Sequence, residues 1–195
     1  MMMRTTLLLL FLGLTACSST TTRPPESVLA EDVPEWVYNP SFDWDEDDDP
    51  MMYYAVGRSR ILRDLNLAEE NALADARADV QAFLETTIER LNEAWVAESG
   101  DLMNDASLSS EINNEMFTRQ VISGTVHGVR IVTRYWDDEN FYVWVRYDAA
   151  DSFLGTYETE LSDALRKQTR ELTYADRERM RKELERVVAE RNARD

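Results

Sequence analysis

The chain has almost none of the residues that most often carry chemistry. One cysteine and one histidine occur in 195 residues, Cys17 and His127. With no histidine pair and no second thiol, neither a nitrogen nor a sulfur metal site can be assembled, and an internal disulfide is excluded. No serine sits in GxSxG, and neither GxxxxGK[ST] nor GxGxxG occurs, so the nucleophile elbow and the phosphate-cradling loops are absent. Positive charge is scarce as well. Against 38 Asp and Glu stand 21 Lys and Arg, a formal net charge of −17. Such a surface repels nucleic acid and anionic headgroups. The imbalance is local: residues 17–160 hold ten basic against thirty acidic residues, whereas residues 161–195 hold ten against eight. The N-terminal apolar run, Leu7 to Leu14, covers eight residues, and a bilayer span needs about 20.

That run has another use. Arg4 precedes it, leucine dominates it, and small residues follow, which is the order of a secretory signal. It ends in Leu14-Thr15-Ala16-Cys17, and these four residues resemble the lipobox of bacterial lipoproteins. The resemblance implies a diacylglyceryl group on the Cys17 sulfur, cleavage before it, and acylation of the new amino terminus. Residues 1–16 are then a signal peptide, and the mature chain carries −18 and no thiol. Each buried methylene adds about 0.8 kcal/mol to membrane attachment, so one chain holds marginally and several hold firmly. The next residue is Ser18 rather than aspartate, which in the lipoproteins it resembles implies the outer membrane, periplasmic face, with exposure at the cell surface as the alternative.

From Ser18 to Val33 the chain is rich in Ser, Thr, Pro and acids without apolar periodicity, the composition of a flexible tether. Its sixteen residues reach roughly 50 to 60 Å when stretched at about 3.3 to 3.6 Å each. In PEWVYNP, residues 34–40, two prolines bracket Trp36, Val37 and Tyr38. Proline favours extended geometry before it, so the segment reads as a strap docked on the domain, with a partner groove lined by Trp36 as the other reading. The acidic loop at residues 43–49 superficially resembles the start of an EF-hand. Counted from Asp43, however, Asp48 falls where glycine is required and Tyr54 where a bidentate glutamate is required. A solvated loop in loose association with Ca²⁺ or Mg²⁺ is the reading left.

The remaining pattern predicts an α+β fold: a small three-stranded, mainly antiparallel sheet packed by a long helix, with C-terminal helices. MMYYAVGRSR, residues 51–60, suits a strand, and Gly57 suits a bend or the close approach of the following helix. Asn66 and Glu69 have capping-box spacing. After them Leu73, Ala76, Val80, Phe83, Leu84, Thr87, Ile88, Leu91 and Trp95 recur at helical spacing, and Ala68, Ala72, Ala74, Ala76, Ala78 and Ala82 allow the first half to lie close to a sheet. Residues 98–115 read as a loop with a short helical turn. Thr125 to Tyr135, containing His127, and Phe141 to Tyr147 read as a hairpin around Asp137-Asp138-Glu139-Asn140. Phe141, Val143, Val145 and Tyr147 face one side, and Tyr142, Trp144 and Arg146 the other. Helical composition returns from Ala149 to Leu172. A last helix, Tyr174 to Asn192, carries Met180, Leu184, Val187 and Val188 along one side, a stripe that packs back on the domain or pairs with another chain. On the second reading, deleting residues 174–195 reduces self-association more than melting temperature.

PEWVYNP, YYAVGRS, ALADARADVQAFLE and VRIVTRYWDDENFYVWVRYD together resemble the LPP-twenty-like family of bacterial outer-membrane lipoproteins, whose members include a lipoprotein associated with the flagellar basal body. The resemblance covers residues 34–155. It implies a small α/β domain there, usually without enzymatic activity, and leaves residues 156–195 as a C-terminal helical extension. The expected function is a non-catalytic structural or interaction module of the cell envelope, anchored through Cys17. The expected partner surface is Trp36, Tyr38, Trp144, Met180, Leu184 and Val187, for a protein partner or for self-association. No nucleic acid, cofactor or metal is expected. Flagellar support of motility is a specific version of this role, and a carboxylate-dependent hydrolase is the remaining alternative.

Overall fold

The structure, a computed structural model, describes residues 33–44, 50–98, 112, 115–167 and 171–194. The signal, Cys17, the tether before Val33 and residues 45–49 of the acidic loop lie outside the described residues.

Three strands, β1 (Met52–Arg60), β2 (Val129–Trp136) and β3 (Asn140–Asp148), form an antiparallel sheet in the order β1-β3-β2. Helix α1 (Leu65–Glu98) crosses one face. Helices α2 (Glu115–Thr125), α3 (Gly155–Arg166) and α4 (Tyr174–Asn192) pack around α1 and the sheet's helix side. This is the α+β arrangement expected from the sequence. β3 is the central strand: Phe141, Val143, Val145 and Tyr147 are buried towards α1, and Trp144 is buried on the far face.

The helical stripe of α1 faces the core, with Ala76, Val80, Phe83, Leu84, Thr87, Ile88 and Leu91 buried and Leu73 and Trp95 half-buried. Of the six alanines, Ala68, Ala72 and Ala76 turn inward and Ala74, Ala78 and Ala82 outward. Gly57 lies under the inward set: a Cβ there would fall 2.8 Å from Ala76 Cβ and inside the contact radius of Ala72 O and Ala76 N. Its role is close approach rather than a bend.

Three local readings change. The N-terminus of α1 is capped by Asp64, whose Oδ1 accepts the Asn66 N–H at 2.9 Å; Glu69 instead reaches Arg134 on β2 at 2.5 Å. The first hairpin strand begins at Val129, not Thr125. Residues 115–125 are helical because Phe117, Val121 and Thr125, at i, i+4 spacing, share a buried face. Thr125 Oγ1 donates back to Val121 O at 3.0 Å, as threonine does inside a helix. His127 therefore sits, exposed, in a 3₁₀ turn (Val126–Gly128) rather than in a strand.

The third change concerns α4. Met180, Leu184, Val187 and Val188 are buried in the main core, which makes them interior packing rather than a docking surface. Of the two readings of that stripe, packing back on the domain holds, so the expectation that truncation spares the melting temperature is reversed. The helix opens with a capping box between Thr173 and Asp176. It is tied to α1 by Arg90–Glu190 at 2.6 Å, and Arg90 holds the Glu190 carboxyl below the usual carboxylate range. At its end Arg191 reaches Asp79 at 3.4 Å, and the same carboxylate accepts the Tyr53 hydroxyl at 2.7 Å. Burial pushes that phenol's pKa up, and the nearby Asp79 charge adds to the effect, so it stays a donor. Among the described residues no helix is long and apolar enough to cross a membrane.

Candidate functional site

Among the described residues no group of three His, Cys, Asp or Glu side chains is placed to hold a metal ion. Several carboxylates that acid–base chemistry would draw on are engaged by arginines, namely Glu69, Asp79, Glu158, Asp176, Glu183 and Glu190. Others hold backbone N–H groups: Asp64 at the start of α1, and Asp75 on the Arg58 N–H of β1 at 2.9 Å. Of these acids Glu69, Asp75, Asp79, Glu158 and Glu190 join one element to another, while Asp64, Asp176 and Glu183 act within or at the end of their own helix.

The distinctive surface is the sheet face opposite α1. An antiparallel sheet can leave one face to water, and such a face is normally polar. Here it is aromatic. The strap, residues 34–44, contains one 3₁₀ turn (Glu35–Val37) and lies across this face. Trp36 stacks on Trp144 with centroids 6.0 Å apart and planes at 11°. Tyr54 of β1 stacks on the same indole at 5.3 Å, and Phe42 leans on it at 5.4 Å. The Trp144 Nε1–H donates to Pro40 O at 2.9 Å, which satisfies the one polar atom of a ring that is 6% exposed. Ser41 Oγ donates to Asn192 Oδ1 at 3.1 Å, and Asn192 Nδ2 donates to Met52 O at 2.9 Å. The strap is thereby joined to the end of α4 and to the edge of β1.

Trp36 and Trp144 are accordingly buried against each other, and the proline-bracketed segment is a packed strap. Of the six residues expected to form a partner surface only Tyr38 is open, at 74% exposed. Trp144→Ala is expected to release the strap and cost about 3 to 5 kcal/mol, in the range for large aromatic truncations in cores. Trp144→Phe, which keeps a ring but loses the bond to Pro40, should cost about 1 kcal/mol from the bond alone. Urea unfolding gives both values. Strap release would be seen as a red shift of Trp36 emission and new proteolytic cleavage before residue 45.

The part of this face not under the strap is the candidate binding surface. Tyr142 and Tyr135 pair across β3 and β2 with centroids 5.9 Å apart. Arg58 lies over the Tyr142 ring at 5.6 Å and donates through Nε and Nη2 to Asn140 Oδ1 at 3.2 and 3.1 Å. Desolvation raises the Tyr142 hydroxyl above its ordinary pKa against the pull of Arg58. At the other end of the face Arg130 of β2 stands directly opposite Arg146 of β3, both exposed.

A bulge creates that opposition. Counted back from the Asp138-Glu139 turn, Tyr135 pairs with Tyr142 and Thr133 with Trp144, but the next pair is Ile131 with Val145. The extra residue, Val132, is 42% exposed. Without it Arg130 would face Tyr147 and the core. With it Val129 and Ile131 pack inward and Arg130 turns outward. Alternation in the sequence made Tyr142, Trp144 and Arg146 legible as one face, whereas Arg58, Arg130 and Tyr135 join them only through strand register.

No family model matches this chain, and no curated protein sequence matches it.

Proposed function

We propose that this chain is an outer-membrane lipoprotein, anchored through acyl chains on Cys17, whose folded part is a non-catalytic interaction module of the cell envelope. The observation that carries the reading is the uncovered half of the outer sheet face. In a chain of net charge −17 it presents the half-buried Tyr135 and Tyr142 with Arg58 at one end and Arg130 with Arg146 at the other. Aromatic and arginine side chains are the types enriched where proteins bind one another. The sequence supports the anchor through Leu14-Thr15-Ala16-Cys17 and the polar stretch after it. The order strand, long helix, hairpin is the order expected of the LPP-twenty-like resemblance, and membership of that family is part of the proposal. A place at the flagellar basal body is its most specific form.

One experiment addresses both halves. A photoreactive residue at position 135, in cells that express the full chain, should crosslink to a discrete envelope partner, whereas the same group at exposed Glu89 on α1 should not. In the same cells Cys17→Ala should abolish incorporation of labelled fatty acid and move the protein out of the membrane fraction or leave it unprocessed. An unchanged membrane fraction would remove the anchor. Equal crosslinking at both positions would remove the sheet face.

A further inference from the structure

We infer that the outer sheet face receives an extended acidic segment of a partner protein, with carboxylates at positions i and i+4. This rests on the reading of that face as the binding surface and adds the chemistry of what it binds.

Like charges directly opposite on neighbouring strands are unfavourable, and this fold produces such a pair, Arg130 and Arg146, by inserting a bulge. Acids to relieve it are plentiful, since the chain has 38. Elsewhere in the described residues nine arginines lie in ion-pair reach of a carboxylate: Arg90, Arg119, Arg134, Arg166, Arg177, Arg179, Arg181, Arg186 and Arg191. Among the described residues Arg130 and Arg146 have no such partner; nor have Arg58, Arg60, Arg63, Arg77 and Arg194, but Arg130 and Arg146 stand opposite each other on neighbouring strands. Two arginines opposite each other in register can converge on one oxyanion, which arginine binds in a bidentate manner.

A second cationic centre shows that the ligand is longer than one anion. Arg58 pairs in register with Tyr142, four residues along β3 from Arg146, or about 13 Å at about 3.3 Å per residue. One phosphate or one headgroup cannot touch both. An extended polypeptide can, because its side chains alternate and positions i and i+4 lie on the same side the same distance apart. Trp144 lies between the two centres beneath the strap, so the segment passes on the β2 side, where Thr133 and Tyr135 supply hydroxyl groups and ring surface for the residue at i+2. A flat anionic membrane fits less well, since the remainder of this acidic body would be pressed against it.

The test uses the full chain in detergent micelles and fluorescence anisotropy with labelled peptides. One peptide carries two glutamates four positions apart among threonines and valines; a second carries them side by side, and a third replaces them with lysines. The first should bind saturably, the second more weakly, and the third not at all. Arg130→Gln with Arg146→Gln should weaken binding of the first by about tenfold or more while leaving the melting temperature equal or higher, because it removes a repulsion. A purely structural pair would lower it. Equal binding by wild type and the double variant, or none by wild type, overturns the inference. So does binding that emerges only after the acids of residues 45–49 are replaced by their amides, which would make the chain's own run the occupant. Competition by inorganic phosphate or anionic vesicles as effective as that by the first peptide points to an isolated anion or a headgroup, and also overturns it. If crosslinking from position 135 persists undiminished in the double variant, the face remains a binding surface and the acidic segment does not.

Discussion

Replacing Gly57 by valine is expected to leave the protein without a cooperative unfolding transition, and Gly57→Ala to lower its stability by about 3 kcal/mol or more. Position 57 lies inside β1, where valine is ordinarily preferred and glycine disfavoured. The expected sign is thus opposite to local propensity. A methyl group would meet Ala72 O and Ala76 N, which are backbone atoms of α1. Rotamer changes cannot move them, so the whole helix must lift from the sheet. That separates Ala68, Ala72 and Ala76 from Tyr53 and Ala55 and opens the contact between helix and sheet. Domains of this kind are stable by about 5 to 15 kcal/mol in total, and the larger side chain exceeds what lifting can relieve. Urea titration followed by circular dichroism measures the effect, with Val56→Ala on the opposite face as a control expected to lose much less. An alanine variant as stable as the parent would show that helix and sheet do not meet as closely as described.

Removal of residues 174–195 is expected to prevent folding. α4 contributes Met180, Leu184, Val187 and Val188 to the core, and large-to-small substitutions at such sites cost about 2 to 5 kcal/mol each for leucine or methionine. Their joint loss approaches the whole stability of a domain. The same truncation removes Asn192, leaving Ser41 and the Met52 carbonyl without their partner, and Arg191, which reaches both members of the part-buried Tyr53–Asp79 pair. Leu184→Ala is the milder form, expected to cost about 2 to 5 kcal/mol without changing oligomeric state. Calorimetry with size-exclusion chromatography reads both quantities. A truncated chain that melts within a few degrees of the full one and differs only in association would return this helix to the surface.

The sequence revealed the fold wherever a single element carries its own periodicity. The stripe from Leu73 to Trp95 and the alternation from Phe141 to Tyr147 each turn one continuous face to the core, so spacing along one segment sufficed. It failed at residues 115–125, where Gly124 and β-branched residues weaken helical propensity and only Phe117, Val121 and Thr125 mark the buried face. It failed again at the cap of α1, where Asp64 and Asn66 both qualify by type and geometry selects Asp64. The candidate site was half visible for a related reason. Tyr142, Trp144 and Arg146 share a strand, but the approach of Arg58 and Arg130 depends on register between strands. That register turns on one bulged residue whose type, valine, gives no local signal.

The strap has a mechanical meaning as well. Any pull that arrives along the chain from the N-terminal side meets residues 34–44 before it meets β1, and is carried first by the stack on Trp144 and by the Ser41–Asn192 bond. These contacts lie on the outer face, away from the principal core, so they can peel while β1 remains paired with β3. Peeling frees eleven residues, about 35 to 40 Å of added length at about 3.3 to 3.6 Å each. The strap is thus the length of the folded body that such a pull would draw out first.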